Sequence, residues 1–313
     1  MKTAKYFIIP MLFLAACQPV EQDLPEKEKS GETVEVADSV WSVTLLAAKG
    51  DAETKALDLT DDGYRLNTYW RASEQVKVYK DVDMIGTLAV APEEGEKPTK
   101  ATLSGAITVN GLNDGDILTL VIPRTDWDYS QQYGTLETIQ DLYDYALATV
   151  TVSAVDIENQ TISTTNAHFE NQQSIYRFAF LNGSTPLGIK EYTVRSINCQ
   201  ALVTERSLGA TGWTSTTGTL SVKPATATTE PLFVSIRNEM PAPSAAEIEA
   251  RTVVDTYGFV ITGSDDALYF ATKGIPAHVL DVPGKFISAT TIVATQPDFS
   301  PASGEISNPG DIL

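Results

Sequence analysis

The chain has 313 residues, and 42% of them are hydrophobic, which is enough apolar material for a packed core. Its 22 basic and 41 acidic residues give a net charge of −19. Because an acidic surface is repelled by phosphate groups, nucleic acid and anionic lipid headgroups are excluded as expected partners.

The first residues have the parts of a bacterial lipoprotein signal peptide. Lys2 and Lys5 form a basic start, and the apolar run 6–16 is about half as long as a membrane-spanning helix requires. A Leu-Ala-Ala sequence lies directly before Cys17, as in a lipobox. We predict that the signal peptide 1–16 is removed and that acyl chains on Cys17 (palmitate among them) anchor the chain in outer-membrane lipid. An ordinary signal peptide with an incidental cysteine is the alternative.

The segment 17–36 is rich in Glu, Pro, Lys and Gln, which predicts a flexible tether between the membrane and the folded part. Gln18 follows the cysteine where an aspartate would favour the inner membrane, so sorting to the outer membrane is expected. Glu21 and Asp23 resemble the short acidic signal that directs some lipoproteins to the cell surface. The predicted location is therefore the cell outer membrane, lipid-anchored and surface-exposed.

The rest of the chain has the pattern of short β-strands. Trp41, Val43, Leu45 and Ala47 alternate with outward positions, as in a half-buried strand. Turn residues separate this strand from the other predicted strands, at 76–79, 85–90, 101–109, 117–122, 145–155, 176–181, 191–202, 218–222, 232–237, 257–262, 268–272 and 286–294. Many short strands with turns between them indicate antiparallel sheets and an all-β fold.

The strand spacing predicts two tandem antiparallel β-sandwich domains, at 37–160 and 165–296, followed by a C-terminal tail at 297–313. The polar stretch 158–170 is the expected boundary. Helix is expected only as two short elements, at 135–142 and 244–251, and the second follows a capping box.

No group of residues indicates catalysis. His168 and His278 lie far apart, and neither has a nucleophile or metal ligands at a suitable spacing. Asp61-Asp62-Gly63 and Asp114-Gly115-Asp116 resemble pieces of calcium loops, but they lack the remaining ligands and are interpreted as turns. We therefore expect no enzyme, no cofactor and no metal site. Cys199, the second cysteine, is predicted to be a small buried residue of a strand.

Residues 40 to 155 also carry a series of short motifs: Thr54-Lys55, Tyr69-Trp70, Val76-Lys77-Val78-Tyr79, Gly86-Thr87-Leu88, Ile122-Pro123, the segment 129–137, and Tyr143-Asp144-Tyr145-Ala146. In this order they resemble the N-terminal domain of the fimbrillin (type V pilin) family of Bacteroidales-type bacteria. The chain departs from the family at Ser73-Glu74, where Gly-Asp is common. The resemblance implies a lipobox followed by two tandem β-sandwich domains of transthyretin-like topology.

The resemblance also implies a function, as a structural or accessory (anchor or tip) subunit of fimbriae that mediate adhesion. In that family a protease removes the leader and the first strand after a basic residue. A strand of another fimbrial subunit then fills the groove, which is donor-strand exchange. The candidate processing residues are Lys49, Lys55, Arg65 and Arg71. Lys49 is expected in an exposed turn, whereas Arg71 is expected to be protected by packing beside Trp70.

A second function remains open, that of a permanently lipid-anchored surface protein that binds a glycan or a host protein and does not polymerise. The connection 124–141 is long enough to carry a binding site. The tyrosines around it are candidates for adhesive contacts or for packing between loop and sheet, and we favour packing: Tyr129, Tyr133, Tyr143 and Tyr145. The proline-containing tail 297–313 is a poor donor strand, which favours an accessory, anchor or tip rank over the main stalk.

Overall fold

The computed structural model describes residues 39–49, 69–198, 202–239, 255–275 and 286–297, which form twenty strands and one short helix. The first half contains β1 (Ser39–Lys49), β2 (Gln75–Lys80), β3 (Asp83–Pro92), β4 (Lys100–Val109), β5 (Ile117–Ile122), β6 (Asp126–Asp128), β7 (Gln131–Gln132), α1 (Leu136–Leu142), β8 (Ala146–Asp156), β9 (Thr161–Thr164) and β10 (Ala167–Asn171). The second half contains β11 (Ser174–Asn182), β12 (Thr185–Pro186), β13 (Ile189–Ser196), β14 (Val203–Gly209), β15 (Gly212–Thr217), β16 (Thr219–Val222), β17 (Leu232–Ile236), β18 (Asp255–Gly263), β19 (Leu268–Ile275) and β20 (Phe286–Ala294). Within these ranges no helix has the length and apolar character needed to cross a membrane.

The first sheet closes on itself. Its strands are ordered β10-β1-β4-β3-β2-β5-β8-β9, and further pairings join β10 to β8 and β1 to β9. The short strands β9 and β10 follow one another in the single space between β1 and β8, parallel to β1 and antiparallel to β8. The result is a barrel-like sheet of seven strand positions without a free edge.

Alternation along the strands fills the interior of this barrel. In β1 the side chains of Trp41, Val43, Leu45 and Ala47 are each at most 7% exposed, and the residues between them point outward. β3 and β4 approach each other so closely that glycine is required at Gly105, because a Cβ there would lie 2.6 Å from the carbonyl oxygen of Thr87. The interior forms one apolar core that also contains Trp70 and Phe169.

The second half builds a separate core between two sheets. One sheet has the order β12-β11-β17, with β20 added to β11, and the other has the order β19-β18-β13-β16-β7. Aromatic side chains fill the space between them: Phe178 of β11 contacts Phe259 of β18 with ring centroids 5.1 Å apart. Phe180 similarly lies 5.0 Å from Tyr192. The two sheets therefore share one apolar layer.

The connection between β5 and β8 belongs structurally to the second core. β6 pairs with β14, and β7 runs parallel to β16. Trp127 and Tyr129 of this connection, and Tyr145 just before β8, are at most 1% exposed and pack with residues of the second half. The connection is thus an integral part of the second half, and the described residues from 39 to 297 form one compact unit with two large cores.

The predicted all-β class is confirmed, and α1 lies where the first helix was expected. Two features differ from the expectation. The first difference is that the first sheet is closed. The second is that four pairs of strands in the described residues are parallel: β1–β9, β1–β10, β7–β16 and β11–β20. The second helix candidate, 244–251, lies outside the described residues, as do Cys199 and the tail beyond 297.

The polar stretch 158–170 does not separate the two halves. β9 and β10 lie within it or overlap it, and they complete the first barrel by pairing with β1 and β8. Only Ile162, Ala167 and Phe169 of these strands face the core, and their neighbours face solvent. The stretch is polar because its strands are half-exposed, so the first sheet continues to residue 171.

Candidate functional site: the first strand and its buried lysine

β1 is held along both sides. Ten residues, Ser39 to Ala48, pair with β4 in continuous antiparallel register. On the other side Ser42 and Val43 pair with β9, and Ala47 to Lys49 pair with β10. The inward side chains of β1 also line the barrel core. Removal of β1 would therefore open a groove between β4 on one side and β9 and β10 on the other.

β1 ends in a buried lysine. The side chain of Lys49 is 1% exposed, and its Nζ lies 2.5 Å from Oε1 of Glu74 and 3.6 Å from Oδ2 of Asp144. The same Nζ lies 4.7 Å from the ring centroid of Trp70, a cation–π distance. These four residues, called the Lys49 cluster below, combine one cation, two carboxylates and an aromatic face.

The carboxylates of the Lys49 cluster are positioned by parts of the chain other than β1. Oε2 of Glu74 accepts a hydrogen bond of 2.9 Å from the backbone N–H of Arg71, and the N–H of Glu74 donates to the carbonyl of Arg71 at 3.0 Å. Oδ1 of Asp144 is buried without a hydrogen-bond partner among the described residues. A cation is therefore required here, because a buried carboxylate is destabilising unless it is paired.

A polar cleft adjoins the cluster, between the turn at Arg71 and α1. The Arg71 guanidinium forms an ion pair with Asp141 and donates to Oε1 of Gln140 at 3.1 Å. The hydrogen bond to Asp141 raises the pKa of Arg71. Helix α1 presents both partners, and its first turn is capped by Thr135, whose hydroxyl accepts the N–H of Thr138. The cleft has a volume of about 410 Å³ and is lined by Arg71, Ser73, Glu74, Gln75, Ile122, Pro123, Gln140, Asp141 and Asp144.

The structure gives different outcomes for the candidate processing residues. The prediction that Lys49 lies in an exposed turn is wrong. Its side chain is the most deeply buried charged group among the described residues of the barrel. Arg71 is less protected than expected, with 35% of its side chain exposed, yet it is held by Asp141. Cys17, Lys55 and Arg65 lie outside the described residues.

The other residues singled out by sequence behave as structural groups. Asp116 of Asp114-Gly115-Asp116 accepts the N–H of Asn113 at 3.0 Å and pairs with Lys80 at 2.8 Å, so this segment is a turn. The Lys80 hydrogen bond is the main reason that the pKa of Asp116 is lowered. Among the described residues no cluster of three or more His, Cys, Asp or Glu could hold a metal, and His168 is exposed on β10. The segment 61–63 and His278 lie outside the described ranges.

Three of the four tyrosines near the connection pack, as favoured, and the fourth is exposed. Tyr129 and Tyr145 are fully buried and Tyr143 is 6% exposed, whereas Tyr133 is 50% exposed. Burial raises the pKa of Tyr143 to about 12. The hydroxyl of Tyr145 accepts the N–H of Asp128 at 3.2 Å, which ties β8 to the connection.

A cation–aromatic stack of the second half was not foreseen. The Arg206 guanidinium carbon lies 5.1 Å from the ring centroid of Trp127 and 4.8 Å from that of Trp213. Glu239 lies 3.6 Å from Arg206 and 3.4 Å from Arg237. Burial, and then the charge of Arg237, lowers the pKa of Arg206 to about 10. No sequence spacing links Trp127 to Arg206, because these two meet through the pairing of β6 with β14, whereas Trp213 reaches the stack from β15, the other partner of β14.

The partners of Lys49 were also missed, although one signal was available. Lys49 is the next inward position after Trp41, Val43, Leu45 and Ala47, so the alternation alone points its side chain into the barrel. A lysine at such a position implies a buried carboxylate nearby. The sequence does not indicate which of the 41 acidic residues supplies it.

No family model matches the chain, and no curated protein does. Solved structures do show similarity. A candidate cell adhesion protein from Bacteroides ovatus matches 82% of this chain and 96% of its own, at 13% identity and a TM-score of 0.39. A fimbrial assembly protein from Parabacteroides distasonis matches 80% of this chain and 90% of its own, at 8% identity and a TM-score of 0.41. A C-terminally truncated tip fimbrial protein from Porphyromonas gingivalis matches 74% of this chain and 81% of its own, at 10% identity and a TM-score of 0.32.

These neighbours are fimbrial and adhesion proteins of Bacteroidales. They are of the kind that residues 40 to 155 resemble. At such low identities and TM-scores nothing about partners or ligands follows for this chain.

Proposed function

We propose that the chain is a fimbrial subunit of the cell surface, of accessory, anchor or tip rank, which is delivered as a lipoprotein and assembled by strand exchange. The observation that carries the proposal is the position of β1. It is the first described strand, it contributes five inward side chains to the barrel, and both its edges are paired. On this proposal the two cores correspond to the two transthyretin-like domains of the resembled family.

Removal of β1 would leave a site that only another strand can satisfy. β4 would lose its antiparallel partner over ten residues, and β9 and β10 would lose a parallel one. The opened sheet edges would hold unpaired N–H and C=O groups above an exposed apolar core. A strand from another subunit can restore both kinds of contact by β-augmentation, which accounts for other fimbrial subunits as the partners.

The burial of Lys49 changes the choice of processing residue. A protease that recognises a basic side chain has to receive that side chain in its own pocket, and Lys49 is held by Glu74 and Asp144. Arg71 is tied to Asp141, and its backbone N–H and C=O both bond to Glu74. We therefore propose processing within 50–68, at Arg65 or Lys55. The resemblance favours arginine, and hence Arg65.

Delivery is proposed to depend on Cys17. Acyl chains on this cysteine would anchor the precursor in outer-membrane lipid, and the tether 17–36 would hold the folded part away from the membrane. Adhesion to a host glycan or protein would then be a property of the assembled fimbrium. We assign no catalytic role to any residue.

Amino-terminal sequencing of protein recovered from the cell surface tests the proposal. A mature end after Lys55 or Arg65 is expected, since cleavage there separates β1 from β2 without disturbing the rest of the barrel. A mature end at Cys17 in assembled, surface-exposed protein would contradict the processing step. Substitution of both basic residues by glutamine should leave the precursor uncut and unassembled.

The permanently anchored binding protein is the second candidate. It is favoured by the Lys49 cluster, which stabilises β1 in place, and by the cleft at Arg71. That cleft presents guanidinium, carboxylate and amide groups, which are the groups that bind sugar hydroxyls. A mature end at Cys17 would support this alternative.

A further inference from the structure

The inward face of β1 has two chemical parts. Trp41, Val43, Leu45 and Ala47 are apolar, and the fifth inward residue, Lys49, is a cation. The strand thus fills an apolar trough and places one positive charge at its end. Any replacement strand would meet the same trough and the same end.

The partners of Lys49 do not leave with β1. Glu74 lies directly before β2, and Asp144 lies two residues before β8. Both carboxylates contact a single Nζ at 2.5 and 3.6 Å, so the two contacting oxygens can be no more than 6.1 Å apart, the sum of those distances. Once Lys49 is gone, two like charges would share a site in which Oδ1 of Asp144 already has no partner among the described residues. Like charges at that distance repel strongly unless a cation separates them.

We infer that the strand which replaces β1 carries a lysine or arginine at the inward position beside Glu74 and Asp144, and that this charge selects the donor. The inference rests on the proposed strand exchange and adds the chemistry of the partner. The face of Trp70, 4.7 Å from the present Nζ, favours the same cation. A donor with a neutral residue at this position would bury two unpaired carboxylates and would be rejected.

The size of the expected selection follows from the burial of the cluster. Exposed ion pairs change affinity little, but the loss of one partner from a buried pair is costly because the other charge stays behind. The side chains of Lys49, Glu74 and Asp144 are 1%, 19% and 12% exposed. A donor strand that lacks the cation should therefore bind about tenfold more weakly or worse.

The test uses the full chain with a specific protease site inserted in the segment 50–68. After cleavage, β1 remains bound but is no longer linked to β2, and fluorescent peptides with the sequence of residues 38–50 compete for its place. Three peptides are compared: the natural sequence, K49M, and the double variant T44K/K49M. The last has the natural net charge, but its lysine is at an outward position of β1. It controls for general attraction to a chain of net charge −19.

We expect the natural peptide to enter, and both altered peptides to bind at least about tenfold more weakly. In a cleaved chain with E74Q and D144N the preference for lysine over methionine should fall below about threefold. Circular dichroism of that variant before cleavage checks that the barrel is intact, and the single variant D144N serves in its place if it is not. Equal binding of the natural and K49M peptides would overturn the inferred requirement for a cation beside Glu74 and Asp144, while leaving strand exchange intact. Entry of no peptide would overturn both.

Discussion

The ring of Trp127 stacks on the ring of Tyr145, with centroids 5.3 Å apart and planes 13° from parallel. Trp127 lies near the start of the β5–β8 connection and Tyr145 at its end, so the contact closes the connection on itself. Both rings are buried among residues of the second half. The connection before β8 therefore packs in the core of the second half of the chain.

Trp127→Ala is therefore expected to lower the free energy of unfolding by about 3–5 kcal/mol, because it empties a fully buried site between Tyr145, Trp213 and Arg206. Trp213→Ala is the matched control. Trp213 belongs to the same stack but is only half-buried, so its loss should be clearly smaller. Urea unfolding followed by circular dichroism measures both. An effect of Trp127→Ala no larger than the control would contradict the assignment of the connection to the second core.

Lys49→Met should lower the free energy of unfolding by about 3 kcal/mol or more, since it leaves Glu74 and Asp144 buried without their cation. The triple variant K49M/E74Q/D144N should recover most of this loss, because it removes the charges together. Lys80→Met breaks a half-exposed pair with Asp116 and should cost about 1 kcal/mol or less. Equal effects of the two lysine variants in urea unfolding would argue against a buried cluster.

Gly105→Ala should destabilise the barrel by about 1–3 kcal/mol, because the added Cβ would lie 2.6 Å from the backbone oxygen of Thr87 and would force β3 and β4 apart. Gly209→Ala is the control, as no described atom lies within 4 Å of a Cβ there. The two variants are compared by thermal unfolding. A change at Gly105 as small as that at Gly209 would mean that β3 and β4 are less tightly apposed.

Lys80→Met should raise the pKa of Asp116 towards its ordinary value, because the Lys80 hydrogen bond is the largest cause of the lowered pKa. A carboxyl whose pKa is lower in the folded state stabilises the fold above its unfolded pKa of 3.8, and this contribution is lost as pH falls through the folded pKa. When the pH falls below 3.8, the variant should therefore lose less stability through Asp116 than the natural protein does. NMR titration of the side-chain carboxyl reads the pKa directly. Asp156, whose pKa is lowered by Asn159, should titrate unchanged.

Local patterns predicted the elements well, and long-range partners account for the differences. The alternation of Trp41, Val43, Leu45 and Ala47 was sufficient to predict β1, since period two is a property of the strand itself. The burial of Lys49 depends on Glu74 and Asp144, which lie on two distant segments and resemble any other acidic residue in sequence. The domain boundary was expected in 158–170, where β9 and β10 lie, because strands that close a barrel need few apolar residues when only one face of each strand is buried.

The closure of the first sheet has a consequence for the order in which the chain can fold. β1 is the earliest described strand, yet one of its neighbours begins at Lys100 and the other at Thr161. A chain synthesised from its amino terminus therefore carries β1 with an incomplete set of partners until residue 171 has emerged. Contacts of such long sequence separation form slowly, and an unpaired apolar strand is prone to aggregate in the interval. The interval before residue 171 is made is thus the period in which the apolar face of β1 is least covered by its neighbouring strands.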